Sequence, residues 1–197
     1  MGLTICWRRA AASLLRSGLG TSSNVSFTPK LALSAAVAQQ NVRDMTLSAT
    51  SGSLKRLRRV PWRFQRTFQT PLRNLQPFVA TIISAREEIQ GGRITIDSVV
   101  FEPKNLNTLL ASQSFPPSLQ SESSIEAAGH QEVAALLEAA LGDWVDFWFI
   151  PTPKPFVIYA DHDEYTTFFA NSKSNLNGVL EALLKRGFKT GDYERNL

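Results

Sequence analysis

The sequence predicts an α+β fold: a small antiparallel sheet of about four strands with two main helices on one face, preceded by a disordered basic N-terminal extension. Three observations predict it. Short runs rich in aromatic and branched residues follow one another between residues 145 and 170, separated by prolines and polar turn residues. Two stretches with helical periodicity flank them, over 130–141 and 174–186. No internal repeat and no regular strand–helix alternation runs through the chain, which argues against a doubly wound sheet.

The charge is split along the chain. Residues 1–86 hold 13 Lys/Arg and one acid, Asp44, for +12; residues 87–197 hold 8 Lys/Arg and 16 Asp/Glu, for −8. The net +4 therefore averages a basic leader and an acidic body. The boundaries follow this division: 1–50 a leader, 51–77 a basic linker or arm, 78–190 the compact domain, 191–197 a tail. Apolar content of 43% is enough for a core in a domain of that size. The single cysteine, Cys6, excludes an internal disulfide framework and a cysteine zinc cluster. No apolar run reaches the ~18 residues needed to span a bilayer.

Residues 1–50 read as an organellar transit peptide. Arg8, Arg9, Arg16, Lys30 and Arg43 are spread among Ala, Ser, Leu and Thr, with no acid before Asp44. Early, frequent arginine favours the mitochondrial matrix over the plastid, and a cytoplasmic protein follows if translation starts at Met45. Residues 55–73 interleave Lys55, Arg56, Arg58, Arg59, Arg63, Arg66 and Arg73 with Trp62, Phe64 and Phe68. Arginine binds phosphate and aromatic rings stack on bases, so Arg56, Arg58, Arg59, Arg63 and Arg66 are candidate nucleic-acid ligands. A solvated linker or presequence remnant is the plainer reading of such a run.

The domain elements follow in order. Residues 78–89 carry an apolar run that suits a helix or a strand, ended by Gly91 and Gly92. Ile94 and Ile96 alternate, then slip near Ser98 before Val99 and Phe101, which predicts a strand with a bulge. Residues 104–124 read as a long loop with one helical turn at Leu106, Leu109 and Leu110. Ser124 is placed to cap a helix whose core is 130–141, with Val133, Leu136, Leu137 and Ala140 on one face and Gly142 as its stop. Residues 145–150, 156–160 and 165–170 are strands. The last helix, 174–186, buries Leu176, Val179, Leu180, Leu183 and Leu184 and closes at Gly187, with Phe188 folding back on the core.

Two features carry chemistry. Asp161, His162, Asp163 and Glu164 stand together at the tip of the hairpin 156–169, offering general acid–base or metal-ligand groups, and are the candidate catalytic residues of a small metal-dependent enzyme. Asp and His also serve as ordinary turn residues there. The second feature is aromatic: Trp144, Phe147, Trp148, Phe149, Phe156, Tyr159, Tyr165, Phe168 and Phe169. Alternation puts Phe147 and Phe149 on one sheet face and Trp148 on the other, so both faces need cover. The leading expectation is a non-catalytic binding or assembly module that contacts a protein partner, or a second copy, through Trp148, Tyr159 and Tyr165. A nucleic-acid-associated factor and a metal-dependent enzyme are the alternatives. No phosphate loop, dinucleotide fingerprint, nucleophile elbow or HExxH motif is present, and no cofactor or fixed metal set is expected.

N-terminal sequencing of the mature protein is expected to find a chain beginning near Met45. A start at Met1 counts against import, and a start beyond residue 73 removes the basic arm.

Overall fold

The apolar runs of 145–170 do become strands, and they lie at the middle of a sheet wider than the sequence predicts. The computed structural model describes residues 45–49, 53–85, 89–115 and 119–193. Of the leader expected over 1–50, residues 1–44, with Cys6, and residue 50 lie outside the described residues, as does the end of the tail. Seven strands, β1 (Met45–Ala49), β2 (Phe64–Gln69), β3 (Gly91–Ser98), β4 (Ser123–Ala128), β5 (Asp146–Thr152), β6 (Val157–Ala160) and β7 (Tyr165–Ala170), pair in the order β1-β4-β3-β5-β6-β7-β2. Every pairing is antiparallel. Among the described residues five helices accompany them: α1 (Ser53–Arg59), α2 (Leu75–Ser84), α3 (Lys104–Ser112), α4 (His130–Gly142) and α5 (Lys173–Lys185).

The small four-strand, two-helix sheet is thus corrected to seven strands and five helices. Three strands escape the sequence for identifiable reasons. β1 lies in the segment read as leader, and β2 is an edge strand whose cations and glutamines mask its Phe64–Phe68 spacing. β4 was expected as the start of a helix. Gly129, at φ 97°, turns the chain there and separates Ser123–Ala128 from α4. The segment 51–77, expected as linker, holds α1, β2 and a 3-10 turn at Leu72–Asn74.

The ambiguous run after residue 75 is a helix because Phe78, Val79, Ile82 and Ile83 all reach the core, a spacing that a strand cannot bury on one side. The loop expected over 104–124 contains α3. Its N-terminus has no local side-chain cap. The Asp143 carboxylate, from the far end of α4, supplies one instead: it accepts the N–H groups of Asn105 (3.0 Å) and Leu106 (2.7 Å) and the Asn105 amide (2.8 Å). The bulge falls where alternation slips, between Ile96 and Ser98 against β5.

The main core lies between one sheet face and α2–α5. Ile94, Ile96, Ile125, Phe147, Phe149, Ile158 and Phe168 meet Ile82, Ile83, Leu136, Leu137, Val179 and Leu183. A second, smaller core lies on the opposite face: Trp148, Val157, Tyr159 and Phe169 pack under Leu54 and Leu57 of α1. On this second face the strands are also joined by hydroxyl pairs, Thr67–Thr167 at 2.9 Å and Thr95–Ser124 at 3.0 Å. At the β2 edge, Thr190 bridges Phe68, the Gln69 N–H donates to the Lys189 carbonyl and the Gly191 N–H to Thr67. Phe188 meets Phe78 edge-on at 5.1 Å.

Gly92 lies directly beneath the Phe149 ring: a Cβ there would stand 2.3 Å from Phe149 Cε2 and 2.7 Å from Cζ. Phe149 is fully buried and has nowhere to retreat. Gly92→Ala is therefore expected to destabilise the fold by ~1–3 kcal/mol, read as a lower denaturant midpoint with an unchanged slope.

Candidate functional site

The hairpin tip does not assemble into a shared centre. Asp161 is buried; its Oδ1 accepts the Tyr165 N–H at 3.0 Å, and its own N–H donates to the Tyr165 carbonyl. Its carboxylate is therefore committed to closing the turn. His162 turns toward the start of β5, where Asp146 Oδ1 takes its N–H (2.7 Å) and meets its Nδ1 (2.9 Å). Asp163 is exposed, with Oδ1 3.7 Å from His162 Nε2. Glu164 has φ 65°; its carbonyl accepts the Thr70 N–H, and the residue lines a different cleft, of about 640 Å³, with Arg73, Arg186 and Lys189. Among the described residues no group of three or more His, Cys, Asp or Glu side chains is arranged to hold a metal ion.

The sheet face expected to meet a partner has its cover within the chain. Trp148 is 0% exposed and Tyr159 1%, both beneath α1. The Tyr159 hydroxyl donates to Asp97 Oδ2 at 3.1 Å, and Asp97 Oδ1 holds the Arg58 guanidinium. One carboxylate thus ties α1 to the sheet. Trp148 Nε1 is buried there without a hydrogen-bond partner among the described residues. Tyr165 lies apart, half-buried and stacked on Tyr193 at 5.4 Å.

The basic segment makes the most coherent surface. α1 turns about 100° per residue. Leu54, Leu57 and Arg58 therefore share the inward arc, and Lys55, Arg56 and Arg59 share an outward arc of about 100°. Burial agrees, since Leu54 and Leu57 are buried and the three outward cations are exposed. Arg63 is exposed a few residues on, where its N–H donates to Asn171 Oδ1. Among the described residues, Arg58 is the only one of the six cations in 53–66 with an ion pair. Arg66 does not join the others. It pairs with Phe168 in register, which puts it on the helix-bearing side of the sheet.

Beside this ridge stands Trp62. Its Nε1–H donates to the Leu57 carbonyl at the end of α1 (3.3 Å), and its ring tilts against Phe169 at 6.0 Å. The Lys154 ammonium lies 5.7 Å from the ring centre. A pocket of about 300 Å³ opens here, between Trp62, Lys154, Phe156, Asn171, Ser172 and Asn175. Lys154 and Asn171 carry no sequence motif. They reach Trp62 only because β5, β6, β7 and β2 lie side by side. Among the described residues no helix is long and apolar enough to cross a membrane.

His162 titrates above its ordinary value. The hydrogen bond to Asp146 is the largest cause, opposed by desolvation and aided by the charges of Asp146, Asp163 and Asp161. A raised folded-state pKa stabilises the fold fully below the unfolded value, about 6.5, and that contribution is lost as pH rises through the raised value. In an NMR titration, Asp146→Asn is expected to bring the His162 pKa down toward about 6.5. An unmoved His162 removes this pairing.

Comparison with protein-family models, curated proteins and solved structures finds no match.

Proposed function

We propose that this protein is a non-catalytic binding module that docks a nucleic-acid strand on the cationic ridge of Lys55, Arg56, Arg59 and Arg63. One observation carries the reading. The segment 53–63 folds onto the sheet with its leucines inward, and four of its five cations stand outward with no carboxylate partner among the described residues. Unpaired cations on one short rigid element suit a line of phosphates, which they bind through counterion release. Residues 87–197, which supply most of the domain, carry a net −8, so the cations of 53–63 stand out against an acidic body.

A binding role through the sheet face at Trp148 and Tyr159 receives less support, since α1 already fills it. Hydrolytic or metal chemistry at 161–164 is likewise less favoured, since Asp161 closes the turn and His162 is held by Asp146. Import into the mitochondrial matrix is proposed on the composition of residues 1–50. Met45 is 7% exposed and belongs to the main core, so processing beyond it would cost a core side chain and an edge strand.

The full chain is expected to bind a single-stranded oligonucleotide with an affinity that falls steeply as salt rises. Replacing Arg56, Arg59 and Arg63 together by Ala is expected to flatten the log–log salt slope by about two and leave the denaturant midpoint unchanged. Equal binding by the triple variant overturns the reading. So does equal binding of a polyglutamate peptide or of anionic lipid vesicles, which would make the ridge a general polyanion surface.

A further inference from the structure

We infer that the pocket beside Trp62 seats one unpaired base, so that the ligand is single-stranded nucleic acid rather than duplex. This rests on the docking reading above and specifies its ligand. The pocket touches the ridge directly. Trp62 and Val60 line it, Arg59 precedes them in the chain, and the Arg63 N–H bonds to Asn171 on its wall. A strand whose phosphates follow Arg56, Arg59 and Arg63 therefore runs along the mouth of an aromatic recess.

The recess has the parts that a base needs. Trp62 is a fixed platform rather than a loose ring. Its indole N–H is held by the Leu57 carbonyl, and Phe169 supports it from below. Stacking on a ring already immobilised costs little further side-chain entropy. The volume, about 300 Å³, is at the small end of small-molecule sites and suits one planar heterocycle with its sugar at the mouth. Three residues with polar side chains, Asn171, Ser172 and Asn175, also line the pocket. Asn171 Oδ1 is engaged by Arg63, which leaves its amide N–H groups to meet acceptor atoms of a base edge.

Lys154 completes the unit. It is exposed, and its ammonium rests over the Trp62 ring by a cation–π contact. A base offers a π-face, which an ammonium lacks, and its stacking displaces the ammonium from the ring. The flexible lysine then swings to the phosphate of the seated nucleotide, converting a weak exposed contact into a charge-assisted one. Duplex DNA or RNA cannot use this recess, because its bases are stacked on each other and paired. It could reach only the ridge cations. The two readings therefore predict different ligand preferences: the ridge alone binds any phosphate backbone, and the ridge with the pocket prefers an exposed base.

The test uses the full chain and three probes: a single-stranded DNA of about 12 nucleotides, within the usual range of single-strand sites, the RNA of the same sequence, and the duplex of that DNA. Wild type is expected to bind both single strands more tightly than the duplex at equal salt. Trp62→Leu is expected to weaken single-strand binding by about 5- to 150-fold and to leave duplex binding unchanged. Trp62→Phe loses the same indole hydrogen bond yet keeps a ring, so it is expected to recover most of the single-strand affinity. That comparison separates stacking from any loosening of α1. The inference is overturned if the duplex binds as tightly as the strands, if Trp62→Leu binds the strands like wild type, or if Phe and Leu fail equally. In those cases salt-dependent binding sensitive to Arg56, Arg59 and Arg63 keeps the ridge while the base pocket falls. If no probe binds at low salt, both fall together.

Discussion

The fold depends on a sheet that is apolar on both faces where β5, β6 and β7 run together. Phe147, Phe149, Ile158 and Phe168 point one way, and Trp148, Val157, Tyr159 and Phe169 the other. A single layer of helices can bury only the first set. The second set must be covered as well, because side chains this large cost ~1.5–3 kcal/mol each when left in water. The chain meets that demand with seven residues, Ser53–Arg59, two of whose side chains do the covering. The consequence for surface chemistry is direct. A helix that turns its leucines to the sheet must turn its other side chains to solvent, and here those are lysine and arginine.

Carboxylates hold the arrangement together at points where no local partner exists. Asp143 caps α3 from the end of α4, Asp97 receives both Arg58 and the Tyr159 hydroxyl, and Asp146 holds the hairpin tip through His162. Each is mostly buried, and each spends its lone pairs on a structural donor. A buried carboxylate whose oxygens are taken up by structural donors is poorly placed to act as a base, since accepting a proton would leave a donor unpaired. The acidic character of the body is therefore partly internal bracing.

How much of this is legible in the sequence varies with the range of the interaction. The hairpin of β6 and β7, the helices α4 and α5 and the bulge before Ser98 all follow from periodicity within a dozen residues, and they stand close to where the pattern puts them. β1 and β2 do not follow, because each is an edge strand that alternates weakly and gains its stability from a partner far along the chain. α3 was hidden because its cap is Asp143, 37 residues from Leu106. The tip residues Asp161, His162, Asp163 and Glu164 were legible as a cluster but not as a set that disperses, since the strand pairing decides where each points. Arg56, Arg59 and Arg63 were legible as cations, and Trp62 as their aromatic neighbour. Lys154 and Asn171 were invisible, being brought to Trp62 by three other strands.

The tail that lies along β2 has a consequence for assembly. Thr190 and its neighbours take up hydrogen-bonding groups over the second half of that strand, and Arg66 stands in the first half. A sheet that continues from molecule to molecule needs two open edges on every copy. Here one edge is half closed by the chain itself and carries a charge on the rest. The last described residues of the chain therefore leave less of β2 open to a further strand.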